Sequence, residues 1–144
     1  MSSAADHAGP VLFFDGDCGL CQRLVRLLLR LDRRGVLRFA PLQGPTAQAY
    51  LRTHGLPADD FDSLIFVPAW AQRNERAYLQ RTDGAAAALR VCGGAALGLS
   101  CFSLLPESWR DRGYRLVARW RHRIFGPWRA RPLARPEWAE RFWP

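Results

Sequence analysis

The chain has 144 residues, is 49% hydrophobic and 24% charged, and carries a net charge of +8. A chain of this length and composition typically folds as one domain with a sizeable core and needs no disulfide crosslinks. Its apolar runs fall short of the ~18 residues that a membrane-spanning helix needs, which argues against an integral membrane protein. The first ten residues lack the basic and apolar regions of a secretory signal. The sequence therefore predicts a cytoplasmic protein whose thiols stay reduced.

The first elements along the chain form a compact unit. Val11–Phe14 is a short apolar run typical of a buried strand, and Asp15-Gly16-Asp17 is a turn sequence. Cys18–Asp32 has apolar residues at helical spacing, and Gly35 ends that helix. Val36–Ala40 predicts a second strand. We expect a β-α-β unit with parallel strands and a right-handed crossover.

The middle of the chain predicts a helix, two strands and another helix. These elements are Thr46–His54, Ser63–Val67, Ala77–Gln80 and Ala85–Val91. Pro68–Arg76 predicts a polar hairpin connection, and Thr82 or Asp83 is the expected N-cap of the last helix. The resulting order, β-α-β-α-β-β-α, is that of a thioredoxin-like α/β sandwich.

A basic extension follows this domain. Pro106–Asp111 predicts the start of a helix that continues through Arg112–Phe125, where Gly126-Pro127 interrupts it, and Trp128–Pro144 predicts an irregular tail. Residues 107–144 contain ten arginines, four acidic residues and five of the six tryptophans. We therefore divide the chain into a flexible tail (1–10), a thioredoxin-like domain (11–105) and a basic, Trp-rich helical extension packed on it (106–144).

The predicted helix of the extension is amphipathic. Its apolar face carries Leu116, Val117, Trp120 and Ile124, and its arginines lie largely off that face. Such a helix can bind an acidic membrane or a nucleic acid, but more often it packs on its own domain. We expect packing, with membrane contact and nucleic-acid binding as the less favoured alternatives. The remaining tryptophans are expected to cover the core: Trp128, Trp138 and Trp143.

The sequence places a Cys-x-x-Cys pair, Cys18 and Cys21, where a strand turns into a helix. Free N–H groups and the helix dipole at that point favour a thiolate, the form that attacks disulfides. We expect Cys18 to be the more exposed, attacking cysteine. Cys21 lies one turn later and faces the core, from where it resolves the mixed disulfide.

Two aspartates flank this pair. The negative charges of Asp15 and Asp17 oppose a thiolate at Cys18. We expect Asp17 to be the helix N-cap, and Asp15 to support the site by relaying a proton to or from Cys21. Turn chemistry is the alternative explanation for both aspartates, since Asp-Gly is a common turn pair.

The other two cysteines are Cys92 and Cys101, which flank a Gly/Ala-rich segment. We expect both to pack in the core, as unpaired cysteines usually do. A second redox pair and a four-cysteine zinc site with Cys18 and Cys21 are the alternatives. The sequence has no hydrolase triad and no Gly-rich phosphate loop, so no cofactor is predicted.

The chain resembles the DCC family of thiol-disulfide oxidoreductases. The resemblance lies in Asp15-Gly16-x-Cys18-x-x-Cys21, Asp32–Gln43, Leu104–Pro106 and Tyr114–Gly126. It implies a thioredoxin-like fold, and exchange of disulfides with a protein or small-molecule thiol or disulfide substrate. No nucleic-acid partner is implied.

Two features depart from the patterns of related proteins. Thioredoxins place a cis-proline before the third strand, but this chain has Asp62-Ser63 there, which leaves room for metal binding by the two thiols. Family members often carry a further cysteine after the final Phe-Gly, and residues 127–144 have none. A zinc-binding or structural module, and a peripheral binding module that uses the basic helix, are therefore the alternatives to an enzyme.

Overall fold

The computed structural model describes residues 4–59, 64–93, 98, 100–124 and 135–144. Its four strands are β1 (Val11–Phe14), β2 (Arg38–Pro41), β3 (Ile65–Val67) and β4 (Leu79–Gln80). Its main helices are α1 (Gly19–Leu31), α2 (Pro45–His54), α3 (Arg81–Cys92) and α4 (Glu107–Ile124). Short 3₁₀ helices cover Trp70–Gln72, Ser100–Leu104 and Pro136–Arg141. Within these residues, none of the helices is both long and apolar enough to cross a membrane.

The strands form one mixed sheet in the order β2-β1-β3-β4. β1 pairs in parallel with β2, with Val11 opposite Arg38. β3 runs antiparallel to both β1 and β4. The parallel β-α-β unit predicted at the start of the chain is confirmed, and the fold is a thioredoxin-like α/β arrangement.

The sheet is covered on both faces because alternate residues of β1 point in opposite directions. Leu12 and Phe14 belong to a core on one face, which also contains residues of α1 and α3. Val11 and Phe13 belong to a core on the other face, with residues of α2. A strand that is apolar throughout, as β1 is, fits this central position.

Gly84 allows α3 to approach the sheet closely. A Cβ at this position would lie 2.8 Å from both the Leu79 carbonyl oxygen and Leu64 Cδ1. The carbonyl belongs to β4 and cannot move without disturbing the sheet. A glycine is therefore required here although it lies inside a helix.

We expect Gly84→Ala to destabilise the protein, although alanine is the better helix former by ~1 kcal/mol. Overpacking typically costs ~1–3 kcal/mol and should outweigh that gain. Gly113 in α4 is the matched control, since a Cβ there meets no atom within 4 Å. Gly113→Ala should leave stability unchanged or raise it by up to ~1 kcal/mol. Urea denaturation of both variants tests this, and equal effects would contradict it.

The start of α3 differs from the prediction. Its N-cap is Gln80 and no side chain caps it, so neither Thr82 nor Asp83 has the predicted role. The reason is that β4 runs directly into α3, which places both residues inside the first turn. The change of direction falls on Arg81, whose φ of 55° is unusual for a residue with a side chain. Asp83 forms an ion pair with Arg110 of α4.

The predicted polar connection at 68–76 contains a buried tryptophan, Trp70. Its indole Nε1 donates a hydrogen bond to the Ala4 carbonyl oxygen at 2.7 Å. The Trp70 and Ala71 amides bond to the carbonyls of Gly9 and Ala8. Hydrogen bonds from Trp70 and Ala71 therefore connect Ala4, Ala8 and Gly9 to the domain.

The C-terminal residues return to the sheet. Phe142 forms a parallel bridge with Phe39 of β2, and the Trp143 amide donates to the Phe39 carbonyl at 2.8 Å. Trp143 is buried in one core and Trp138 packs against the other. The predicted covering role is confirmed for these two tryptophans. Trp128 and Gly126-Pro127 lie outside the described residues.

Only part of the predicted apolar face of α4 packs on the domain: Val117 lines a pocket with residues of α1 and α3, whereas Leu116 and Trp120 are exposed. Further contacts lie beside Val117, where Arg110 pairs with Asp83 and Tyr114 lies under the Arg81 guanidinium. These two contacts turn Leu116 and Trp120 towards solvent. The expectation fails for Leu116 and Trp120 because helical periodicity identifies an apolar face but not the element that covers it. The side chain of Ile124 lies outside what the structure describes.

Candidate functional site

The Cys-x-x-Cys pair lies at the end of β1, where the chain turns into α1. Cys18 is itself the N-cap of α1, in an extended conformation and with no side-chain capping bond. The prediction that Asp17 caps this helix is therefore wrong. The Cys18 amide donates to the Asp15 carbonyl at 3.2 Å, and the Cys18 carbonyl accepts from the Gln22 amide at 3.0 Å. These bonds hold Cys18 at the positive end of the helix dipole.

Two glutamines hold the turn before Cys18. Gln43 Nε2 donates to Asp15 Oδ1 at 2.7 Å, and Gln43 Oε1 accepts from the Gly16 amide at 3.0 Å. Gln22 Nε2 donates to the Gly16 carbonyl at 3.0 Å. Asp15 Oδ1 also accepts from the Asp17 amide at 3.0 Å. The carboxylate of Asp15 is thus oriented by its neighbours.

The sequence analysis assigned no role to Gln22 or Gln43. The only signal for Gln43 is that it ends one of the stretches that carry the family resemblance. The carboxylate of Asp17 lies 3.4 Å from Gln43 Nε2. Asp17 is not the N-cap because α1 begins at Gly19, which places Cys18 at that position.

The Cys21 thiol is hydrogen bonded to the Cys18 sulfur. The pKa of Cys21 is raised, first by its hydrogen bond to Cys18, then by burial and by the charge of Cys18. The Asp15 carboxylate raises the pKa of Cys21 further, whereas a backbone hydrogen bond from Asp15 lowers it. At neutral pH Cys21 therefore keeps its proton and donates it towards the Cys18 sulfur.

The exposure of the pair is the reverse of what we expected. Cys18 is only 2% exposed, whereas Cys21 is partly exposed. The reason is that Cys18, as the N-cap, lies at the buried junction of β1 and α1. Cys18 is part of the wall of a pocket and not of the open surface.

This pocket has a volume of about 200 Å³ and is lined almost entirely by apolar atoms. Both cysteines of the pair form part of its wall, together with residues of α1, α3 and α4 and one residue before β3. The lining residues are Cys18, Leu20, Cys21, Leu24, Leu64, Arg81, Thr82, Ala85, Tyr114 and Val117. Arg81 is the cation among them, and its guanidinium lies 5.9 Å from the Tyr114 ring. The Asp62-Ser63 position of the cis-proline comparison lies outside the described residues.

The remaining cysteines differ from each other. Cys92 is partly buried against one core, and burial raises its pKa to about 11. Cys101 is exposed, so its predicted core position is wrong. It precedes α4 in a short 3₁₀ helix at the surface. In the parts of the chain that the structure describes, no three His, Cys, Asp or Glu side chains are grouped to hold a metal ion. The four-cysteine zinc site is therefore not formed there.

The chain matches one protein-family model and is similar to two known proteins. The model of the DCC1-like thiol-disulfide oxidoreductase family matches residues 12–127. The uncharacterized protein YuxK of Bacillus subtilis is 33% identical over 134 residues, which cover 93% of each chain. A chloroplastic DCC family protein of Arabidopsis thaliana is 32% identical over 71 residues, covering 49% of this chain and 38% of the relative. No solved structure matches the chain.

The match to the family model begins at the second residue of β1 and includes the rest of the β-α-β unit, the cysteine pair and all of α4. It therefore covers every element that lines the pocket. On this match, and on the full-length similarity to YuxK, the chain belongs to the family of DCC1-like thiol-disulfide oxidoreductases.

Proposed function

We propose that this protein catalyses thiol-disulfide exchange through Cys18 and Cys21. The observation that supports this most strongly is the position of the pair: a thiol at a helix N-terminus, hydrogen bonded to a second thiol, in the wall of an apolar pocket. The helix dipole and the nearby Arg81 favour a thiolate at Cys18. Asp15 and Asp17 oppose it, but their carboxylates are engaged by Gln43.

In the first step, the Cys18 thiolate attacks one sulfur of a substrate disulfide. The substrate S–S bond breaks, one half leaves as a thiolate, and the other half remains on Cys18 as a mixed disulfide. Cys21 does not compete in this step because its raised pKa keeps it protonated. The order of attack is thus set by the coupling between the two thiols.

In the second step, Cys21 resolves the mixed disulfide. Once Cys18 has reacted, Cys21 loses its hydrogen bond to Cys18, which is the largest cause of its raised pKa, and also the negative charge of Cys18; burial remains. Its proton then passes to Asp15, and the Cys21 thiolate attacks the Cys18 sulfur. The Cys18–Cys21 disulfide forms and the second half of the substrate leaves as a thiolate. The substrate has gained two electrons from the protein. A thiol reductant must then supply two electrons to reduce the Cys18–Cys21 disulfide. The same steps in reverse oxidise a dithiol substrate.

The pocket restricts the substrate. Its volume of about 200 Å³ is below the range of about 300–1,000 Å³ found for complete ligand sites. It therefore accommodates only the part of a thiol or disulfide substrate next to the reacting sulfur, and that part is apolar. The rest of a protein or small-molecule substrate remains outside.

The reduction potential of the pair tests this proposal. A variant with Cys92→Ala and Cys101→Ser, which keeps only the candidate pair, is equilibrated in glutathione buffers and trapped with an alkylating mass tag. We expect one reversible two-electron transition between the reduced protein, which takes up two tags, and the oxidised protein, which takes up none. Zinc content is measured on the same sample. Absence of a reversible transition, or stoichiometric zinc that holds both thiols, would contradict the proposal.

A further inference from the structure

Three apolar residues of α4 form a stripe on the surface, which we call the outer stripe: Trp109, Leu116 and Trp120. Their exposed fractions are 64%, 60% and 40%. With about 3.6 residues per turn, their spacing of seven and four residues aligns them along one side of the helix. Leu104, 84% exposed, lies in the 3₁₀ helix that precedes α4. Several large apolar side chains exposed along one side of a helix indicate an interaction site.

Arginines line one flank of the outer stripe. Arg112, Arg119 and Arg123 fall within about a quarter turn of it on the same side, and all three are exposed. The Arg123 guanidinium lies 5.4 Å from the Trp120 ring. Over its length α4 carries six arginines and two acidic residues. The surface therefore combines apolar insertion groups with a concentrated positive charge.

The partner of this surface follows from its chemistry. The opposite side of α4 is already used by the Arg110–Asp83 ion pair and the Arg81–Tyr114 contact. A second copy of the chain would bring two rows of arginines together, which is repulsive. A nucleic acid would match the arginines through its phosphates, and its bases can stack on the tryptophans, but it offers no apolar environment for Leu116 and Leu104. An anionic lipid surface matches both, since tryptophan prefers the membrane interface and arginine binds lipid phosphates.

We propose that α4 docks the protein on the surface of an anionic membrane. The helix lies parallel to the bilayer, the outer stripe enters the interface, and the flanking arginines contact the phosphates. Tyr114 and Val117 of the same helix line the dithiol pocket. Docking therefore brings the pocket to within about one helix diameter, ~10 Å, of the lipid surface.

Co-sedimentation with vesicles tests the proposal without any redox assay. The full chain is mixed with vesicles of phosphatidylcholine alone, or of equal parts phosphatidylcholine and phosphatidylglycerol. We expect binding to the anionic vesicles only, weakened by added salt because salt screens the arginines. Leu116→Glu should weaken this binding about tenfold or more, because it places a charge in the apolar stripe. Since Leu116 is exposed, the variant should melt at the wild-type temperature.

Two triple variants that remove the same charge distinguish docking through the flank from a general effect of net charge. Arg112→Gln/Arg119→Gln/Arg123→Gln removes the three arginines that flank the outer stripe. Arg33→Gln/Arg52→Gln/Arg76→Gln removes three exposed arginines elsewhere. The first variant should bind anionic vesicles about tenfold more weakly or worse, and the second within about twofold of wild type. Equal losses in both, equal binding to the two vesicle types, or no binding to anionic vesicles would overturn the proposal.

Discussion

Replacing Cys18 with serine should reduce disulfide exchange by about 10³-fold or more, because a serine hydroxyl at neutral pH is not a nucleophile towards a disulfide. The first step would then have no attacking group at the N-terminus of α1. Cys21 substitutes poorly because burial and the Asp15 carboxylate still raise its pKa in this variant, although the hydrogen bond and the charge of Cys18 are lost. The measurement is kcat/KM for reduction of a protein disulfide and of glutathione disulfide, with a dithiol as reductant. Wild-type rates in Cys18→Ser would contradict the proposed function.

The companion variant Cys21→Ser should stop the reaction after its first step. Cys18 would still attack, but the mixed disulfide would have no resolving thiol. Mass spectrometry should therefore show one substrate half added to the protein and released by a dithiol. If Cys18→Ser accumulated the adduct instead, the more exposed Cys21 would be the attacking cysteine. Cys101→Ser is the control, because Cys101 is exposed and is not among the residues that line the pocket. This variant should keep full activity.

Removing the guanidinium of Arg141 should destabilise the protein more than Gly84→Ala does. Arg141 forms an ion pair with Asp32, whose side chain is fully buried, and its Nε donates to the Leu37 carbonyl at 3.1 Å. Asp32 Oδ2 also accepts from the Leu37 amide at 2.9 Å. Arg141→Met leaves a buried carboxylate without its counter-charge. We expect a loss of ~3–5 kcal/mol in the free energy of unfolding, measured by urea denaturation under reducing conditions.

A second substitution and a control identify the cause. Asp32→Asn in the Arg141→Met background removes the unpaired charge but keeps an acceptor for the Leu37 amide. The double variant should therefore recover most of the lost stability. The control is Arg110→Met, which breaks the ion pair with Asp83, a side chain that is 54% exposed. Its cost should stay below ~1 kcal/mol. A double variant no more stable than Arg141→Met would show that the loss comes from packing and not from the buried charge.

Several features of this protein were determined by local sequence alone. The run Val11–Phe14, the Asp-Gly-Asp turn and the helical pattern after Cys18 were enough to predict a strand, a turn and a helix that begins at a cysteine pair. Residues within about one turn of each other decide such features through backbone preferences and helix periodicity. The parallel pairing of β1 and β2 followed from the short helical crossover between them. Membership of the family rested on the same cysteine motif.

Other features depended on contacts between distant parts of the chain. Gln43 is 27 residues from Gly16, and Arg141 is 109 residues from Asp32. Three further features also depend on such distant contacts: the burial of Cys18, the pocket between α1, α3 and α4, and the outward position of the stripe on α4. Periodicity shows that a helix has an apolar face, but the elements that cover that face are set by the whole arrangement. In this protein, α4 is oriented by two contacts with α3: the Arg110–Asp83 ion pair and the Arg81–Tyr114 contact. This orientation leaves the outer stripe exposed to solvent.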